Sequence, residues 1–151
     1  GVHLLEQALL AGRILSHAQG FAILQAASED RNWALDLARI AEIWRAGCIL
    51  RSDLLGDIAL ALKAEPPQGH LVLAPGMVPL LDQSVTALRQ VVGAAIQTGL
   101  PVPALSAALA WYDSLRQARG SANLIQAQRD VFGAHGFERI DKSGRFNGEW
   151  G

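Results

Sequence analysis

The chain has 151 residues, half of them hydrophobic and only 18% charged, with 13 basic residues against 14 acidic and a formal charge of −1. That balance excludes a disordered chain, which needs low hydrophobicity and high net charge, and it offers no basic excess for nucleic acid. One cysteine, Cys48, excludes a disulfide within the chain and a cysteine-rich zinc site. The length suits one domain. The mean hydropathy of +0.19 is high for a small soluble monomer and implies apolar surface meant for another domain or subunit. The start at Gly1-Val2, with Met77 as the sole methionine, leads us to expect a piece of a longer polypeptide rather than a complete small protein behind a cleaved tag. His3, Glu6 and Gln7 interrupt any signal-peptide core, and no run approaches the roughly 20 apolar residues of a membrane span. A single thiol and no glycosylation sequon point to the cytoplasm.

Helical periodicity runs along the chain. Ile14, Ala18, Phe21 and Gln25 recur at steps of four, three and four and predict a first helix from about Leu4 to Ser28. Asn32 and Asp36 offer caps for a second helix striped by Leu37, Ile40 and Trp44, with Gly47 as its break. A third spans about Asp53 to Lys63 and is stopped by Pro66-Pro67. Pro66 to Pro79 is expected to be loop. A fourth helix starts near Pro79, carries Val85, Leu88, Val92 and Ala95, and stops at Gly99 and Pro101. Pro103 suits the first turn of a fifth, striped by Leu105, Leu109 and Tyr112. Gly120 separates it from a sixth, with Ser121 as cap, a Leu124, Ala127, Val131 and Ala134 stripe, and Gly133 at its end. No convincing strand is found, so the fold is expected to be an all-α bundle of about six helices. From Phe137 to Gly151 no helical stripe emerges, and a tail holding Phe137, Ile140, Phe146 and Trp150 is expected to dock on something.

The chemistry-bearing motifs are few. There is no glycine-rich dinucleotide fingerprint, P-loop or nucleophile elbow. His3, His17, His70 and His135 are too scattered for a metal cluster. Cys48, beside Ile49 and Leu50, fits a core cysteine better than a nucleophile, and Trp33, Trp44 and Trp111 fit core or interface. One stretch stands out, Gln126 to His135. Arg129 points away from the Leu124, Ala127, Val131 stripe, where an arginine is ordinarily solvated. His135 would lie roughly 9 Å further along a continuous helix and about 120° round it. A break at Gly133 would swing it to the side of Arg129 and pair a guanidinium fork with an imidazole as a small anion site.

At that stretch the chain resembles a known family. Asn123-Leu124-Ile125-Gln126-Ala127-Gln128-Arg129-Asp130, followed by Phe132-Gly133-Ala134-His135, resembles the C-terminal signature of the decarboxylating 6-phosphogluconate dehydrogenases. Ser16-His17-Ala18-Gln19-Gly20-Phe21, Trp44 to Ser52, and Gly99-Leu100-Pro101-Val102-Pro103 with Tyr112-Asp113 resemble further blocks of that family, in the same order. The resemblance covers nearly the whole chain.

The resemblance implies an oxidoreductase of the pentose phosphate pathway and of gluconate utilisation. Such an enzyme oxidises and decarboxylates 6-phosphogluconate to ribulose 5-phosphate, usually with NADP, as a cytoplasmic homodimer. Residues 1–136 would be its all-helical C-terminal domain and residues 137–151 a tail docking on the partner subunit. Arg129 and His135 would bind substrate, chiefly its phosphate end, in the neighbouring subunit's active site. The Rossmann domain that holds NADP and the segment with the lysine base and glutamate acid have no counterpart in this chain. No catalytic residue or metal ligand is therefore assigned, the cofactor-binding residues are unknown, and the chain alone is expected to be inactive. A helical dimerisation module without catalytic duty is the alternative, and a related β-hydroxyacid dehydrogenase a further one. The chain departs from the family pattern at Val131, often tyrosine, at Gly136, often threonine, and in Phe146-Asn147-Gly148-Glu149-Trp150, which lacks the tail histidine.

Overall fold

The computed structural model describes residues 1–150 and separates them into two compact units, Gly1–Tyr112 and the segment from Asp113 onward. The first unit is built on α1 (Val2–Arg31), an uninterrupted helix of 30 residues. Its buried face is Ala8, Ala11, Leu15 and Ala18, at steps of three, four and three, with Ile14, Phe21 and Gly12 beside them. Small residues on that face let neighbouring helices approach closely. A side chain at Gly12 would collide with Leu105. Gln25 ends the stripe as a half-buried polar residue and donates to Glu29 at 3.1 Å.

Asn32 closes α1 instead of opening the next helix. It adopts the left-handed conformation (φ 53°), which asparagine tolerates, and its N–H returns to the Glu29 carbonyl. The turn is pinned by Ser28, whose carbonyl accepts from Trp33 at 2.9 Å and whose hydroxyl accepts from Leu35 at 2.9 Å. Asp36 then caps α2 (Leu37–Trp44), its carboxylate accepting from the Arg39 N–H at 2.9 Å. Trp44 packs on Phe21 with ring centroids 5.4 Å apart. Packed beside α2 is α3 (Leu54–Lys63), which buries Leu55, Ile58 and Ala59 and is joined to α2 by the Lys63–Glu42 ion pair. The Lys63 and Arg39 hydrogen bonds hold the Glu42 carboxyl below its usual range.

The segment expected to be loop contains two short 3-10 turns, Pro67–Gly69 and Leu71–Leu73, and the second drives Leu71 and Val72 into the core. Met77 follows, almost wholly buried, just before α4 (Val78–Gln97), which lies against α1 and buries Leu81, Leu88 and Val92. Gly99 (φ 72°) terminates α4 and sends the Leu100 N–H back to Ala95 at 2.8 Å, a turn that needs a residue at ease in that backbone region. Pro103 opens α5 (Pro103–Leu115) as expected, but only Ala108 of this helix is fully buried. Leu105, Leu109 and Tyr112 pack on the core while partly exposed.

Part of the apolar excess expected from composition lies on the surface of this unit. Val2, Leu5 and Leu9 share one face of α1 and are all more than half exposed; Ile23, Ile43, Ile49, Leu60 and Ile96 are exposed too. Cys48 is half-buried rather than core, and its thiol donates to the Trp44 carbonyl at 3.2 Å. No described helix is long and apolar enough to cross a membrane. Leu88 is fully buried between helices, so Leu88→Ala should lower the free energy of unfolding by about 3 kcal/mol. Urea denaturation of the two forms measures this, and a loss below about 1 kcal/mol would contradict the packing described.

Candidate functional site

The second unit is organised by a buried acid. Helix α6 (Ala122–Gly133) follows Ser121, whose side chain makes no capping bond. The expected apolar stripe is not what α6 buries: Leu124 is 64% and Val131 51% exposed, whereas Asp130 retains 3% of its surface. The helix stops because Ala134, not Gly133, turns left-handed (φ 49°), with its N–H on the Asp130 carbonyl at 2.8 Å. Gly136 follows at φ 71° and reverses the chain. The tail is then not structureless. Phe137–Glu138 (β1) pairs antiparallel with Arg145–Phe146 (β2), Phe137 opposite Phe146 and Glu138 opposite Arg145. Two residues per strand, with no alternation to signal them, explain why no strand was expected.

Four donors converge on the Asp130 carboxylate. One oxygen accepts from the Gly136 N–H at 2.8 Å and the Asn147 amide at 2.5 Å. The other accepts from the Gly148 N–H and the Trp150 indole N–H, both at 2.7 Å. Asn147 also reaches the Ala134 carbonyl at 3.1 Å. A carboxylate that gathers this many donors must be ionised to accept them all. The Gly148 N–H and the Trp150 indole do most to bring its pKa down to about 2, against the opposing effect of burial. Gly136 and Asn147 add to the lowering. The tail residues Asn147, Gly148 and Trp150 are thus tied to the helix that carries Arg129.

Beside this knot lies a cleft of about 340 Å³ lined by Gln126, Arg129, His135, Gly136, Glu138 and Arg145, among others. The structure therefore brings Arg129 and His135 to one place, as the helix break was expected to do. Gly133 contributes in another way. A Cβ there would meet the His135 ring at 2.7 Å, so the missing side chain leaves room for the imidazole to fold back. Arg129 and His135 are both exposed, and no carboxylate among the described residues forms an ion pair with either. An unpaired arginine beside an imidazole in an open cleft can take an anion with two parallel N–H bonds. A larger hollow in the same unit, about 580 Å³, is lined by residues such as Ala118, Asn123, Ala127, Ile140 and Trp150 and does not include Arg129 or His135.

The other histidines serve elsewhere. His3 lies 3.6 Å from Glu6 at the surface, His17 holds the Arg13 carbonyl at 2.7 Å, and His70 is half-buried. One basic cleft in the first unit was missed from the sequence. Arg45, Arg51, Ser52 and Asp53 line a hollow of about 450 Å³, and the buried Ser52 hydroxyl has no partner. Nothing in the spacing of the block from Trp44 to Ser52 shows that the two arginines, on either side of a turn at Gly47 (φ 76°), line one hollow.

The chain resembles proteins of known activity over its described length. The family model described as 6-phosphogluconate dehydrogenase, C-terminal domain, matches residues 1–150. The Escherichia coli (strain K12) 6-phosphogluconate dehydrogenase, decarboxylating, is 52% identical over 96% of this chain and 31% of its own length. The NADP(+)-dependent, decarboxylating 6-phosphogluconate dehydrogenase of Bacillus subtilis (strain 168) is 48% identical over 99% of this chain and 32% of its own. Among solved structures, Plasmodium falciparum 6-phosphogluconate dehydrogenase, studied apo, with its cofactor NADP+ and with its substrate 6-phosphogluconate, superposes with a TM-score of 0.92. It is 37% identical and covers 98% of this chain and 32% of that one. The chain thus spans about a third of the length of these relatives.

Stability of the Asp130 knot should follow pH in one direction. The folded-state pKa is depressed, so the contribution is complete above the ordinary carboxylate pKa near 3.8 and is lost as pH falls toward about 2. The indole N–H resonance of Trp150 should keep its hydrogen-bonded shift at pH 5 and lose it as pH falls through about 2. A resonance already at its free position at pH 5 would contradict the knot.

Proposed function

The chain belongs to the 6-phosphogluconate dehydrogenase family, as its C-terminal domain, and from that membership we propose that it binds the phosphate end of 6-phosphogluconate in an NADP-dependent oxidative decarboxylation to ribulose 5-phosphate. The observation that carries the reading is the convergence of Arg129 and His135, both without a carboxylate partner, on one open cleft. A phosphate dianion offers oxygens spaced for the two parallel N–H groups of a guanidinium, and an imidazole N–H can take another. The Asp130 knot holds His135 and the helix bearing Arg129 in place before substrate arrives, which reduces the entropy lost on binding.

Residues 1–136 act in this reading as the helical body and residues 137–151 as a tail against the partner subunit of a homodimer. The exposed row Val2, Leu5 and Leu9 on the first unit and, separately, the exposed Leu124, Val131 and Phe132 on α6 of the second support apolar contacts with a partner. The described residues do not fit NADP. Their strands are two residues long, and no glycine-rich turn among them joins a strand to a helix. Hydride and proton transfer fall to other parts of the enzyme, and this domain contributes substrate grip.

In a full-length enzyme carrying this domain, Arg129→Ala should raise KM for 6-phosphogluconate by roughly 10- to 100-fold, as expected for the loss of charge-assisted bonds to phosphate. An unchanged KM would remove Arg129 from the site. The 151-residue chain incubated with 6-phosphogluconate and NADP should yield no NADPH; turnover would overturn the division of labour.

A further inference from the structure

The hairpin that follows α6 carries two arginines, and they are engaged differently. Arg139 is committed to Asp141, its Nε and Nη2 meeting the two carboxylate oxygens at 2.8 and 2.6 Å. Arg145 forms no ion pair with any carboxylate among the described residues. Its Nη2 donates to the His135 carbonyl. Its side chain lies across Gly136, which is buried and has a φ of 71°; a Cβ at that position would meet Arg145 Nε at 2.7 Å and Cγ at 2.9 Å. The bare backbone of Gly136 is therefore the berth that fixes the arginine, and the strand register holds it opposite Glu138. A guanidinium has five N–H donors, and anchoring one side to a carbonyl leaves the others for a ligand.

From this geometry we infer that Arg145 is a third cationic group of the phosphate cleft, a binding residue that shares the anion with Arg129 and His135. The inference rests on the phosphate reading of that cleft given above. Arg145 lines the same 340 Å³ hollow as those two residues. Glu138 is the one carboxylate among the lining residues, so two guanidinium groups leave the cleft net positive even with His135 neutral. Two forks and an imidazole can meet all three peripheral oxygens of a phosphate monoester, where one fork and an imidazole leave part of it to water. The anchor on His135 also joins the two groups mechanically, so that ordering one orders the other.

The 151-residue chain can be titrated with inorganic phosphate, with 6-phosphogluconate and with gluconate as the control lacking phosphate, following the arginine side-chain N–H resonances. Arg145→Gln should weaken binding of both phosphate-bearing probes about fivefold, a value scaled down for an exposed site, and leave the response to gluconate unchanged. Arg145→Lys should recover part of the loss, because it keeps the charge without the fork. Gly136→Ala, which retains the guanidinium and fills its berth, should give an intermediate loss. The Trp150 indole resonance reports whether the fold of the tail survives each change. Unchanged phosphate affinity in Arg145→Gln, with a clear loss in Arg129→Gln, would overturn the role of Arg145 alone. Unchanged affinity in Arg129→Gln as well, or no phosphate binding by the unaltered chain, would overturn the phosphate reading itself. A fall in gluconate response equal to that for phosphate would also overturn the inference, since it would mark Arg145 as structural.

Discussion

A single carboxylate, that of Asp130, organises everything after α6. Its side chain is buried, and its partners come from beyond the helix: the Gly136 N–H at the turn, and from the tail the Gly148 N–H, the Asn147 amide and the Trp150 indole. Leaving such a charge buried and unpaired would be costly, so the sequence positions of its donors are coupled to the helix end. Ala134 and Gly136 adopt positive φ, which sends the chain back over the carboxylate. The cleft residues Arg129, His135 and Arg145 are all attached to parts of this arrangement. The cleft is thus a by-product of how the helix terminates.

The first unit works by other physics. Its core is a packing of small and aliphatic residues, with alanines and Gly12 on α1 setting close helix approach and Leu55, Ile58 and Leu88 filling the space between. It also leaves a row of apolar side chains in water. The first unit thus holds together by apolar packing, and the second by a polar knot around one carboxylate.

Most of the helices were legible because their punctuation is chemical. Proline at Pro66-Pro67 and Pro103, glycine at Gly99 and an acid at Asp36 each act where their backbone chemistry predicts. Asn32 was misassigned because asparagine serves equally as an N-cap and as a left-handed C-cap, and only the neighbouring Ser28 bonds decide which. The stripe of α6 misled for a different reason. Periodicity marks which residues share a face, not whether that face has a partner within one chain, and Leu124 and Val131 stay exposed. The candidate pair Arg129 and His135 was visible from spacing and resemblance. Asp130 was passed over because an aspartate beside an arginine in a helix ordinarily faces water, and its four donors lie 6 to 20 residues downstream. Arg145 was silent in the same way, since its place depends on the register of a hairpin whose strands are two residues long.

If the cleft takes phosphate as proposed, the ionised Asp130 builds it without touching the anion. The most direct measurement is the phosphate affinity of Asp130→Asn, which keeps the size of the side chain but removes its charge and one acceptor oxygen. The tail should loosen and phosphate affinity should fall to that of Arg129→Ala, with the helices of the first unit unaffected. Full phosphate affinity retained in Asp130→Asn, with the tail detached, would contradict it.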